Sequence, residues 1–142
     1  MTTPTYTRNE AALTQAVERW NAGDLDGYLR IYDDGIRLHG YTPQPMDKTA
    51  VRAFYEGIFA ALPENHLELH ETFGVDDRLC CRYTLSGKHE GDFLGVPATG
   101  TQITIPGITI LHFREGRCVE RWLSADMLGV LIQIGAVAPP PT

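Results

Sequence analysis

The sequence predicts an α+β domain in which three N-terminal helices pack on one face of a curved antiparallel sheet and leave a cone-shaped cavity. Three observations predict it. Up to Leu62 apolar residues recur at helical spacing, and from His66 onward they alternate with period two. No strand–helix–strand alternation occurs, and no GxGxxG or GxxxxGKS phosphate loop is present, so nucleotide chemistry has no support.

Each element has its own signal. Leu13, Ala16, Val17 and Trp20 form one helical stripe that Gly23 ends. Asp24 caps a second helix with the stripe Leu25, Tyr28, Leu29 and Tyr32. After an extended piece at 36–39, a third helix over 48–62 carries Val51, Phe54, Tyr55, Ile58 and Leu62, and Pro63 punctuates its end. Leu67 and Leu69 then alternate with His66, Glu68 and His70, and Asp76-Asp77 marks a turn. Leu79, Cys81, Tyr83 and Leu85 share one strand face. A Gly- and Pro-containing stretch over 87–100 interrupts the pattern. Ile103, Ile105, Ile108 and Ile110 read as strand on either side of Pro106-Gly107. Glu115-Gly116 is a hairpin turn, 117–123 returns as a strand, and a short helix over 127–134 closes the domain. The expected domain is 8–137, with flexible ends at 1–7 and 138–142.

Composition narrows the function. The chain has 142 residues, 43% hydrophobic and 21% charged, with a net charge of −6. That suits one globular domain large enough to hold a pocket. The acidic balance argues against nucleic acid and anionic membranes, both of which reward clustered Lys and Arg. Neither a membrane-length apolar run nor a signal-peptide pattern is visible, and the odd set Cys80, Cys81 and Cys118 fits reduced thiols. A cytoplasmic protein with a hydrophobic small-molecule partner is the expectation.

Several residues are candidates for chemistry. His112 shares a strand face with Ile108 and Ile110; it points an imidazole into an apolar pocket if that face is concave, or is a core histidine otherwise. Asp126 precedes the closing helix, as an N-cap or as a carboxylate at the pocket rim acting as general base. The hairpin at Glu115-Gly116 brings the two strands side by side, so that His112 and Asp126 can converge. His89 and His39 stand beside turn residues, and Tyr41, Tyr55 and Tyr83 line the cavity or fill it. His66 and His70 do not make a metal site: on a strand their rings stand about 13 Å apart. HLELH also lacks the Glu that follows the first His in HExxH.

The runs SGKHEGDFLGVPATG and ITILHFREGRCVERWLSADMLGVLIQIG, with WNAGDLDGYLRIYDD and LHGYTPQPMDKTAVRAFYEGIFAALPE before them, resemble the SnoaL-like polyketide cyclase and ester cyclase family. The resemblance spans roughly residues 10–135. It implies the α+β barrel of the nuclear transport factor 2-like superfamily, a homodimer joined through the sheets, and intramolecular aldol cyclisation without metal or cofactor. It further implies Asp126 as the general acid/base and His112 as the hydrogen-bond donor to substrate, with His89 at the matching GxHxG position. His39, Tyr41, Tyr55, Tyr83 and Trp122 complete the expected substrate-binding set. Around the aspartate this chain carries Arg121, Trp122 and Ser124 in place of further polar groups. Alternatives within the superfamily are a non-catalytic binding domain, an epoxide hydrolase and a dehydratase.

Overall fold

A computed structural model describes residues 4–142. Helix α1 (Thr5–Asn21) is amphipathic and buries Leu13, Ala16, Val17 and Trp20; Gly23 follows its end at φ +78°. The expected flexible end at 1–7 is thus partly helical, since α1 begins at Thr5; residues 1–3 lie outside the described part. The short α2 (Leu25–Leu29) is capped by Asp24, whose carboxylate accepts from the Gly27 N–H. Asp47 caps α3 (Lys48–Ala61) in the same way through the Ala50 N–H. Tyr32, expected on the second helix, instead opens the first strand and is fully buried there.

Five strands follow one another in the sheet order β1-β5-β4-β3-β2: β1 (Tyr32–His39), β2 (His66–Val75), β3 (Arg78–Lys88), β4 (Gln102–Arg114) and β5 (Arg117–Ala125). β2 through β5 form an antiparallel meander, but β1 runs parallel to β5. The sheet is therefore mixed rather than wholly antiparallel, and it is curved without closing. Helix α4 (Met127–Gln133) ends the fold, and residues 138–142 have no regular structure. No helix among the described residues is long and apolar enough to cross a membrane.

β4 decides what faces where. The sequence places a break at Pro106-Gly107, yet β4 runs through it and alternates without interruption. Ile103, Ile105, Thr109, Leu111 and Phe113 are buried on the concave side, while Ile108 and Ile110 are about half exposed on the convex side. A proline inside a sheet normally costs a ladder bond. Here Pro106 sits just past the end of β5, where its carbonyl accepts from the Asp126 N–H at 3.0 Å and its absent N–H would have no strand partner. Gly107 is glycine for space: a Cβ there would lie 2.5 Å from Cζ of the Tyr83 ring, which occupies that concave position. The Pro-Gly pair is the seat of a tyrosine within one continuous strand.

Candidate active site

The concave face of the sheet and the inner faces of α1 and α3 enclose a cavity with about 750 Å³ of atom-free space, its open mouth included. Its walls are mainly apolar, with Leu13, Val17, Ile58, Leu85 and Ile105 among the lining residues. That is the usual character of a small-molecule site, in which a few placed polar groups provide orientation.

Those polar groups converge on one side chain that the sequence analysis did not select. In β5 a bulge at Val119 lets Glu120 pair with His112 while Cys118 pairs with Phe113. An extra residue shifts the facing of everything beyond it. Cys118 and Arg121, three apart, consequently both point inward, and Arg121 is only 7% exposed. Its Nε donates to Thr109 Oγ1 at 2.8 Å, and that hydroxyl donates in turn to the Trp122 carbonyl at 2.7 Å. Nη1 donates to Tyr28 Oη at 2.9 Å and to Tyr32 Oη at 2.5 Å. The hydroxyls are linked among themselves, Tyr28 with Tyr32 at 3.3 Å, Tyr32 with Tyr55 at 2.7 Å and Tyr55 with Tyr41 at 2.9 Å. Trp20 holds the rings from below: it meets Tyr28 and Tyr55 edge-on, each at 5.1 Å, and its Nε1 donates to Asn65 Oδ1 at 2.6 Å.

Electrostatically this is a buried cation among neutral phenols. No ion pair to Arg121 exists among the described residues. Burial works against its charge, but the surrounding phenol oxygens of Tyr32, Tyr41, Tyr28 and Tyr55 more than offset this, so the guanidinium stays protonated. Burial raises the pKa values of Tyr32 and Tyr55 well above the ordinary phenol range, and it also raises Tyr41 and Tyr83, against the opposing pull of Arg121. All four keep their protons at neutral pH. Cys81 also lines the cavity, but burial pushes its thiol up to about 11, which makes it a poor nucleophile.

The residues expected from the sequence separate into groups. Tyr41, Tyr55 and Tyr83 line the cavity. His112, His39 and Trp122 come together on the opposite, convex face: His39 stacks on Trp122 with centroids 5.2 Å apart and bonds Glu120 at 2.7 Å, while His112 lies 4.6 Å from Trp122 and meets Arg78. The expected entry of His112 into the pocket is therefore corrected, because the uninterrupted alternation of β4 turns Ile108, Ile110 and His112 outward. Asp126 does not converge with His112 either. Its carboxylate accepts from the Gly129 N–H at 2.8 Å as the cap of α4, and it borders an open groove with Arg82, Ile108 and Ser124. Six residues of β4, roughly 20 Å of strand, separate Pro106 beside Asp126 from His112. His89 opens the 89–101 connection and is fully buried there; its Nδ1 accepts from the Thr99 N–H at 3.3 Å and its ring packs near Phe93. His66 and His70 are exposed on β2. Among the described residues no group of three or more His, Cys, Asp or Glu could hold a metal ion.

Comparison with known proteins agrees with this architecture. The family model for SnoaL-like polyketide cyclase matches residues 10–134. AclR of Streptomyces galilaeus, a candidate hydroxylase, superimposes with a TM-score of 0.87 at 26% identity, covering 96% of this chain and 86% of that one. A candidate SnoaL-like polyketide cyclase of Jannaschia sp. CCS1 gives 0.84 at 24% identity over 99% of both chains. IdmH of Streptomyces antibioticus, a candidate polyketide cyclase, gives 0.77 at 23% identity over 89% of this chain and 98% of that one. No curated protein matches by sequence. With 125 consecutive residues matched, and with this fold around this cavity, the chain belongs to the SnoaL-like polyketide cyclase family.

Proposed function

We propose that the protein is a cofactor-free cyclase or isomerase acting on an apolar, carbonyl-rich, polyketide-like molecule, with Arg121 and its phenols as the oxyanion receptor. The observation that carries this reading is a guanidinium buried in the wall of an apolar cavity with no carboxylate partner among the described residues. In an aldol closure a proton leaves a carbon flanked by two carbonyls, and the electron pair becomes an enolate. The enolate carbon then bonds to a ketone carbon in the same chain, whose oxygen takes the charge as alkoxide and finally a proton. Both charged oxygens gain from a fixed cation and O–H donors in a dry site. The walls hold the chain folded so that the two carbons meet. Asp126, the base that the resemblance implies, caps α4 and borders the groove rather than the cavity; in this reading the receptor stabilises the enolate, and solvent at the mouth takes the proton.

A second reading is a binding domain that turns nothing over. It is favoured by the absence of any carboxylate or imidazole from the cavity lining among the described residues. The epoxide-hydrolase alternative loses support for the same reason, since Arg121 has no carboxylate beside it to hold a water. One experiment separates the cyclase from the binding domain. An aryl 1,3-diketone bearing a ketone placed for six-membered ring closure is incubated with protein and followed by product absorbance. Closure faster than in buffer, reduced about 100-fold in Arg121→Met, supports the cyclase; closure at the buffer rate with the diketone demonstrably bound supports the binding domain.

The homodimer is also part of this proposal. Phe73, Cys80, Ile110 and Trp122 pair in one row across the convex face. Rows bearing Glu71 with Arg82, and Arg78 with Glu120, flank it. An apolar row between charges of both signs suits a second copy of itself. Ile110→Lys is expected to give a monomer by light scattering, and an unchanged mass would refute this face.

A further inference from the structure

We propose that the cavity is an acid-binding site: its ligand is an aryl or polyketide-type carboxylic acid, bound as the anion, with the carboxylate on Arg121 and the apolar body toward the mouth. This rests on the cavity being the functional site, as the preceding reading holds, but it does not require turnover.

Hydrogen-bond accounting carries the argument. A guanidinium has five N–H donors and each phenol has one O–H. Nε is satisfied by Thr109, and Nη1 by Tyr28 and Tyr32. Nη2 donates to no described residue. It is not a sealed-off donor either, because the buried side-chain polar atoms lacking a partner among the described residues are Asn9 Oδ1 and His89 Nε2. Nη2 therefore opens onto the cavity that Arg121 lines. The phenols add to the surplus. Tyr28, Tyr32, Tyr55 and Tyr41 bring four hydroxyl protons, yet only three hydroxyl–hydroxyl contacts link them. Each contact uses one proton, so at least one O–H has no acceptor within the cluster. Thr109, Tyr28 and Tyr32 already accept from Arg121, which leaves at least one phenol O–H and the Nη2 N–H groups in search of an acceptor.

Charge points the same way. The hydroxyls around Arg121 accept its hydrogen bonds but bring no carboxylate counter-charge, and a buried charge gains further from one. The protein carries a net charge of −6, yet no carboxylate is paired with this cation among the described residues. A carboxylate brings two oxygens and one negative charge, which meets both deficits together and suits the planar donor edge of Arg. A neutral ester or amide offers a carbonyl oxygen but no charge.

The test uses 2-naphthoate, 2-naphthamide and methyl 2-naphthoate as matched probes with the intact protein in calorimetry. The proposal expects the acid to bind at least tenfold more tightly than either neutral probe, with the preference fading as pH falls through the acid's own carboxyl pKa. In Arg121→Met, acid and amide should come within twofold of each other. Tyr41→Phe, which removes a phenol donor without changing charge, should weaken the acid alone by a few fold. Equal or tighter binding of the amide or ester overturns the proposal, as does the absence of saturable 2-naphthoate binding. If Arg121→Met fails to fold, the wild-type comparison and Tyr41→Phe decide. A protein that prefers the acid but closes no diketone ring refutes the cyclase and leaves this proposal standing; one that closes rings yet binds the neutral probes equally does the reverse.

Discussion

The two faces of one sheet carry opposite kinds of chemistry. On the convex side, His39, Glu120, Trp122, His112 and Arg78 form a half-exposed polar cluster. On the concave side, Arg121 and its tyrosines are enclosed among apolar residues. In the single subunit solvent reaches the first group, so its His39–Glu120 contact contributes little. The second is shielded from water, so each donor and the single charge weigh far more. Residue types that ordinarily attract functional attention thus sit on the weak side, and the strong side is built from Tyr and Arg.

The largest expected contrast is between one substitution on each face. Arg121→Met should lower ring closure about 100-fold, whereas His112→Ala should change it less than twofold. Stability should not follow activity, because an apolar side chain replacing a buried unpaired charge is often neutral or stabilising. Chemical denaturation beside the kinetic assay checks both.

A smaller effect tests how the concave face is assembled. Gly107→Ala places a methyl group against the Tyr83 ring and should cost about 1–3 kcal/mol by overpacking. Tyr83→Ala in the same chain should recover part of that loss, so the double mutant will be less destabilised than the sum. Strict additivity in urea denaturation would mean that the ring and the glycine are independent.

Asp126 gives a finer test. Asp126→Ala removes the α4 cap and should cost about 1 kcal/mol, while Asp126→Asn should cost almost nothing. Neither should change ring closure by more than about twofold. Loss of turnover in Asp126→Asn, with the fold intact by circular dichroism, would return the base role to this residue.

The two faces should also govern different limbs of the stability–pH curve. Burial raises the Tyr32 and Tyr55 pKa values, so the native state holds protons that the unfolded state releases at about pH 10. Their contribution is fully present below that pH and is lost as pH rises toward the folded values, giving unfolding coincident with phenolate absorbance. His112 has the opposite sign. Partial desolvation, and then the charge of Arg78, lower its pKa, so protonation disfavours the native state as pH falls below about 6.5. The acid effect is small because the ring is largely solvated, and His112→Ala should remove it.

The helices were legible in the sequence because their stripes are one-sided: Leu13, Ala16, Val17 and Trp20 leave no second apolar face to choose. The inward facing of Tyr83 was legible too, since it alternates with Leu79, Cys81 and Leu85. β4 is apolar on both faces, with Ile108 and Ile110 opposite Leu111 and Phe113, so hydrophobicity cannot select the inner one. Reading Pro106-Gly107 as a break moved the phase by one residue, which is enough to send every later side chain to the other face. Arg121 was concealed by the Val119 bulge in the same manner. The usable signal was its neighbourhood, an arginine returning from a hairpin toward helices that supply Tyr28 and Tyr55.

If ligand chemistry belongs to the concave face, a crystal structure of the protein with 2-naphthoate will show it there. A carboxylate oxygen is expected within about 3 Å of Arg121 Nη2, with the naphthalene between α1 and the sheet. A naphthoate bound against Trp122 on the convex face, or lying in the cavity with its carboxylate turned to the mouth, would contradict that placement.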